Sequence, residues 1–324
     1  VLTAPGPGSG KLATCLSQLY HENKRGVQAG YAKFETFPIW NLPLNHPVNV
    51  AYEAATADLK DVNKVDNFHL DAYGEITVNY NRDIEVFPVV RSILAKITGK
   101  ECIYKSPTDM GVNMAGYCII DDEACREASE KEIIRRYLKA QCDLKSGVCK
   151  KDTVERLEFL MSRLSITQSE RKVIECAREK SRQNDDCGAV ALELQDGRIV
   201  TGKNTQRMSA SAACVFNAVK MLAGIKDSQK LISPYVIGPI IDMKTKILKE
   251  HDKTLTLEEA LLALSICAAS DATAATAMEQ LTQLDGCDAH STHMLFKADE
   301  NLFRKLGVRL SSDPEFLGDT LFNE

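Results

Sequence analysis

"VLTAPGPGSGKLATCLSQLYHENK", residues 1–24, is the stretch on which the reading of this chain turns. A short apolar run leads into Gly6-Pro7-Gly8-Ser9-Gly10-Lys11. Leu12, Leu16 and Leu19 then recur at helical spacing until Gly26 closes the segment. Strand, glycine-rich turn and helix, in that order, make a phosphate cradle. The glycines admit φ > 0 and let backbone N–H groups approach an anion closely. The helix start adds unpaired N–H groups and the positive end of its dipole, and Lys11 adds a point charge. Two positions depart from the usual nucleotide-binding loop: Pro5 replaces the first glycine, and Leu12 replaces the Ser or Thr that holds Mg²⁺. The expected cradle is therefore Gly6, Gly8, Ser9, Gly10, Lys11, Leu12 and Thr14, with any hydroxyl for a metal coming from Ser9, Thr14 or elsewhere. "VLTA" supplies only the end of the buried strand such a turn needs, so the turn is expected to lie inside a longer polypeptide.

Outward from this turn, composition narrows the classes. The 324 residues suffice for two or three domains of ~100–200 residues each. Hydrophobic residues at 44% and charged residues at 26% are ordinary for a globular protein, and a net charge of −5 leaves no basic footprint for nucleic acid. No apolar run is long enough to cross a bilayer and no leader is recognisable, so the reading is a cytoplasmic chain without a membrane partner. Eleven cysteines, an odd number with no CxxC pair, read as reduced thiols; Cys118 and Cys214 sit in apolar runs.

The fold expected is α/β and multi-domain: an α/β phosphate-binding part over 1–121, a helical subdomain over 122–184, and a three-layer α/β domain over 185–324. In the first part "AGYAKFETFPI", "ECIYKSP" and "AGYCII" read as strands, and "NVAYEAATADLKDV" and "RDIEVFPVVRSILAKITG" as helices. The third part opens on two β runs joined at Asp196-Gly197, the strongest short hairpin signal. "SASAACVFNAVKMLAGI" reads as a helix, "ISPYVIGPIID" as a β-like run and "CDAHSTHML" as a strand.

Polar residues cluster between the apolar segments of the first part. His46, Lys60, Asp61, Asn79, Asn81, Arg82, Asp83, Lys105, Thr108, Asp109 and Asn113 suit a site that fixes phosphate by Lys and Arg and hydroxyl groups by Asn and Asp, although turns and caps favour the same residue types. Lys11, Asp61, Arg82 and Asp109 are the expected catalytic set, with Asn81, Thr108 and Asn113 binding the ligand. An acidic residue ending an apolar strand would hold Mg²⁺ with ATP. "GYCIIDDE" offers Asp121 and Asp122, and Asp242 in "GPIIDM" is a rival. Cys287, His290 and His293 have a spacing that metals use, but in a strand the two histidines point to opposite faces.

With these motifs in place the chain resembles the bacterial family catalogued as domain of unknown function 1846. "TAPGPGSGKLATCLSQLYHE", "AYEAATADLKDVN", "VNYNRDIEVFPV", "SPTDMGVNMAGYCIIDDE" and "GCDAHSTHM" carry the resemblance, which spans all 324 residues. It implies a further α/β region ahead of residue 1, and implies architecture more firmly than activity. Residues 188–222 also resemble the cytidine-deaminase fold in their hairpin, their "DGR" turn and the helix that follows. A working deaminase opens that helix with a zinc ligand, Ala and a Glu. Here Ser211-Ala212-Ala213 stands in their place, and "SICAASD" keeps only Cys267 of the second motif, so no zinc is expected. The function expected is nucleotide binding with ATP hydrolysis or another phosphoryl transfer, in a homo-oligomer. The alternatives are a non-catalytic nucleotide or phospho-metabolite sensor, and an enzyme acting on a phosphorylated sugar or nucleoside without ATP.

Overall fold

The structure is a computed structural model and describes residues 2–3, 9–34 and 38–317. Two compact units divide the chain: Val1–Ile133 with Phe159–Ser165, and Ile134–Glu158 with Ile166–Glu324. Both mix helix and strand, so the chain is α/β as expected.

The first unit runs α1 (Lys11–Lys24), β1 (Lys33–Phe34), α2 (Pro47–Ala55), β2 (Asn63–Val65), α3 (Asn67–Tyr73), β3 (Val78–Tyr80), α4 (Asn81–Thr98) and β4 (Gly111–Val112), then enters α5 (Asp122–Lys145). Its strands are short: β1 pairs in parallel with β4, and β2 antiparallel with β3. Helix α1 occupies the residues its leucine spacing predicts. Leu12, Leu16 and Leu19 lie against Phe87, Val90 and Leu94, spaced i, i+3 and i+7 on α4. Gly99, at φ 69°, ends α4 in the left-handed conformation that a side chain resists.

Two expected strands are absent here. Residues 101–107 are irregular; Tyr104 folds back and its hydroxyl bonds both the N–H and the C=O of Tyr31, so a side chain does the pairing a strand would have done. "AGYCII" forms a short 3₁₀ turn over Ala115–Cys118, with Tyr117 and Ile120 in solvent. Its apolar residues are not buried, and burial is what would have made a central strand of them. The strand expected in 29–39 is reduced to Lys33–Phe34 among the described residues.

In the second unit the latter part of α5 and most of α6 (Lys151–Leu164) precede α7 (Val173–Arg182), β5 (Ala189–Glu193), β6 (Ile199–Lys203) and α8 (Ala210–Leu222). There follow α9 (Pro234–Asp242), a π-helical turn over Met243–Ile247, α10 (Leu257–Ala268), α11 (Ala272–Glu279), β7 (Asp288–Ser291), α12 (Lys297–Lys305) and β8 (Arg309–Ser312). The four strands form one sheet in the order β6-β5-β7-β8, parallel only between β7 and β8. The hairpin turns at Asp196-Gly197 as predicted, with Gly197 at φ 82°. Alternate residues of β5 face opposite ways: Val190 and Leu192 join the large core with α8, while Ala191 meets Val173 and Ala177 of α7. A Cβ on Gly202 would fall 2.2 Å from the Cys214 nitrogen, so glycine is what lets α8 lie so close to β6.

The β-like run at 232–242 is a helix. Ser233 accepts from the Tyr235 N–H, and Pro234 takes the first helical position. This start signal outweighs the strand preference of the valine and isoleucines that follow.

Candidate functional site

Gly10, at φ 82°, is the cap residue before α1 and, as a glycine, brings no side chain to cap it; the first turn of the helix holds no acidic residue. Of the expected cradle, Gly6 and Gly8 lie outside the described residues. Lys11 donates to the Ser9 hydroxyl at 3.3 Å. The Thr14 hydroxyl donates back to the Gly10 carbonyl at 3.1 Å, so its own helix uses it. Leu12 packs toward the α1–α4 core. A lysine opening a helix, where the dipole is positive and the first turn holds no acid, favours an anion at that end.

The remaining polar residues gather around the β2–β3 hairpin and the start of α4. Asp61 is buried and accepts from Arg82 Nη2 at 2.7 Å, while the Arg82 side chain keeps 53% of its surface in solvent. Lys33 pairs with Asp83 at 2.5 Å. Asn81 ties the hairpin to α4: its Oδ1 accepts from the Val62 N–H at 3.1 Å, and its own N–H donates to the Val62 carbonyl at 2.9 Å. Lys60, at φ 59°, turns the chain into β2.

Beside it lies a buried network in which Asn79, Lys105, Thr108 and Asp109, which the sequence singles out, meet Asp66, His69, Tyr73, Thr77 and Ser106, which it does not. Asp66 Oδ1 caps α3 by accepting from the Phe68 and His69 N–H groups, and Oδ2 accepts from the Thr108 hydroxyl at 2.7 Å and its N–H at 3.2 Å. Thr77 and Asn79 also reach the Thr108 hydroxyl. His69 Nδ1 meets the Ser106 hydroxyl at 2.9 Å. Asp109 Oδ2 accepts from the Lys105 and Ser106 N–H groups and from the Tyr73 hydroxyl at 2.9 Å. That bond to Asp109 raises the Tyr73 pKa. The Lys105 ammonium lies 5.3 Å over the Tyr73 ring and also lines an open groove of about 630 Å³ with Phe68, Asp71 and Arg91.

The expected residues are thus brought together in part. Asp61 meets Arg82, and Asn79 meets Thr108. Asp109 is held by three donors as the organiser of its own turn. Asn113 donates to the Pro38 carbonyl at 2.5 Å and secures a loop. Asp121 and Asp122 do not end a strand, which corrects the reading of "GYCIIDDE". Asp121 Oδ1 accepts from the Ala124 N–H at the start of α5. Asp122 accepts from Arg126 at 2.6 Å and from His46 at 2.8 Å, and these two bonds, Arg126 first, hold its carboxyl below the usual range. Because His46 Nδ1 accepts the Val48 N–H, its Nε2 carries the proton donated to Asp122. Asp242, at the end of α9, pairs with Lys246. Among the described residues no group of three or more His, Cys, Asp or Glu is arranged to hold a metal ion.

In the second unit Cys287, His290 and His293 go to different neighbours: the Gln283 carbonyl, the Ser311 hydroxyl and the Thr292 hydroxyl. His290 belongs to a cluster inside the sheet. Arg171 bonds Asp288 at 2.9 Å, Ser311 Oγ, and the carbonyls of Ala289 and Arg309, and Arg178 grips both oxygens of Asp313. Burial would raise the Asp313 carboxyl, but the His290 bond and the Arg178 guanidinium outweigh it and hold it at about 2.

Comparison with known proteins places these features in a family. Residues 1–165 match the family described as "Domain of unknown function DUF1846, N-terminal", and residues 169–322 match its C-terminal counterpart. Similar curated proteins include a UPF0371 protein of Clostridium botulinum (strain Alaska E43), 56% identical over 329 aligned positions, and one of Clostridium tetani, also 56% identical. A UPF0371 protein of Clostridioides difficile (strain 630) is 55% identical. In each case the match takes in 99% of this chain and 66% of the relative's length.

Proposed function

Since the chain belongs to the DUF1846 family, whose description assigns no activity, the function has to be argued from the site, and we propose that it binds a nucleotide by its phosphates at the turn leading into α1 and transfers or hydrolyses the terminal phosphoryl group. The observation that carries this reading is the start of α1. Gly10 is left-handed and brings no side chain to the cap position, no acid is present in the first turn, and Lys11 stands at the positive end of the dipole. A phosphate would lie at the positive end of α1 and meet the Lys11 charge, and the same fixed dipole and charge would stabilise charge developing in the transition state. The half-exposed Arg82, aimed by Asp61, supplies a second cation; Asn79, Asn81 and Thr108 supply the polar wall, and Mg²⁺ would accompany ATP. The four-stranded sheet of the second unit supports reading it as a deaminase-like scaffold without the zinc chemistry.

A second reading keeps the binding and drops the turnover. It is favoured by Leu12, which offers no metal ligand, and by Asp121 and Asp122, whose carboxylates serve donors within the chain. The full-length protein incubated with Mg²⁺ and ATP, beside Lys11→Ala, separates the two. Phosphate release that Lys11→Ala abolishes supports phosphoryl transfer. Retention of ATP without release supports a sensor. No retention of any nucleotide by the wild type overturns both.

A further inference from the structure

We infer that the outer face of α9, its π-helical turn and α10 is the surface through which two copies of this chain associate. These segments put large apolar side chains in solvent and bury a lysine. Helix α9 is almost wholly apolar, yet none of its residues is fully buried. In the turn that follows, one of its two lysines goes inward: the Lys244 side chain is 4% exposed, and its ammonium donates to Glu259 at 2.8 Å and to the Thr254 carbonyl at 2.8 Å, while Lys246 stays in solvent. Its apolar neighbours Met243, Ile247 and Leu248 go outward. A buried lysine costs several kcal/mol of desolvation unless it is paired, and here Glu259 and Glu250 pair it. A sequence that buries Lys244 and exposes Ile247 is presenting its apolar side to something.

The two helices lie side by side in opposite directions. The Ser233 N–H, before α9, meets Cys267 near the end of α10, while Lys244, after α9, meets Glu259 at the start of α10. Their inner faces share one core, Val236, Ile237 and Ile240 packing beside Ala260, Leu264 and Cys267. The outer sides of these segments bear Tyr235 (91% exposed), Ile247 (74%), Met243, Leu248, Leu262 and Ile266. Leu262 and Ile266, four residues apart, make one stripe on α10.

Size and charge point to a second copy as the occupant. The six side chains leave roughly 700 Å² uncovered, close to the ~800 Å² per partner of a standard stable interface and more than a lone monomer usually exposes. The surface carries both signs: Asp242 shares the outer side of α9 with Tyr235, Glu258 shares the α10 stripe with Leu262, and Lys246, Lys249 and Glu250 follow α9. An isologous contact sets the same patch against itself, so it needs both signs. An anionic membrane would call for one sign.

Light scattering on the full-length protein over a wide range of concentration tests this. The wild type is expected to give the mass of a dimer, and Leu262→Asp and Ile266→Asp each to halve it with unchanged circular dichroism. Phe159→Asp, at an exposed apolar position in the other unit, is expected to leave the dimer intact. Hydrogen exchange on the wild type reads the face itself and does not depend on any variant folding: 234–248 and 257–268 are expected to gain protection as concentration rises. A monomeric wild type, a dimer indifferent to both substitutions, or a monomer that floats with anionic phosphatidylserine vesicles would each overturn the inference.

Discussion

The two units use the same residue types to opposite ends. In the second, Arg171 is 1% exposed and spends its donors on Asp288, Ser311 and two carbonyls across β7 and β8. In the first, Arg82 also pairs with a buried aspartate, yet half of it stands in solvent. A guanidinium fully consumed by its own sheet has nothing left to offer a ligand, and one held by a carboxylate at the protein surface does. Arginine-and-aspartate clusters are therefore separated by how many donors remain, and composition does not separate them.

The largest effect that would break this contrast is expected at Arg171. Arg171→Met takes one of two guanidiniums from the buried Asp288, which keeps Arg309 at 3.0 Å, and leaves Ser311 and two carbonyls without the donors that Arg171 gave them, for an expected cost of about 3–5 kcal/mol. Arg82→Met is expected to cost only about 1 kcal/mol, because water reaches the Asp61 carboxylate through the space the half-exposed guanidinium vacates. Both are read from urea unfolding. Equal losses would erase the distinction between a structural and an available arginine.

Next comes Asp66, the hidden anchor of the first unit. Asp66→Ala removes the cap of α3 and leaves the buried Thr108 hydroxyl without its closest acceptor, for an expected loss of about 2–3 kcal/mol. Asp66→Asn, which keeps one acceptor, is expected to fall between. A loss under ~0.5 kcal/mol, the level of an ordinary surface change, would show that the network does not organise this unit.

A smaller effect sharpens the same comparison through pH. Burial lowers the His290 pKa, against the pull of Asp313, so the unfolded chain takes up that proton first and stability falls as pH drops below about 6.5. Asp313, held at about 2 in the folded state, contributes stability that is full above the ordinary carboxyl value of 3.8 and is lost as pH falls from there through about 2. Urea midpoints measured down the pH scale should therefore fall in two steps, with Asp313→Asn removing the lower one. A profile flat from neutral pH to about 4 would contradict the burial of a neutral His290.

Local signals make parts of the fold legible. Helix α1 follows its leucines from Lys11 to Lys24, and the β5–β6 hairpin follows Asp196-Gly197, because both are set by residues close together in the chain. Where two local signals compete, hydrophobicity alone misleads: at the start of α9, Ser233 with Pro234 overrides a run rich in isoleucine. "AGYCII" reads as a strand only if its apolar residues are buried, and they lie at the surface. Asp66 is silent in the sequence because its partner Thr108 is 42 residues away, and no local pattern announces such a bond. Of the site, Asp61 with Arg82 and the helix start after Gly10 are readable from residue type; the network around His69, Tyr73 and Ser106 is not.

The central claim is that the start of α1 binds phosphate, and calorimetric titration of the full-length protein with ATP, pyrophosphate and adenosine tests it most directly. ATP and pyrophosphate are expected to bind and adenosine to bind far more weakly, with Lys11→Ala weakening both phosphate ligands by about tenfold or more, as loss of a charge-assisted contact of ~1.5–3 kcal/mol implies. Equal affinity for adenosine and ATP, or a Lys11→Ala protein that binds ATP as tightly as the wild type, would contradict it.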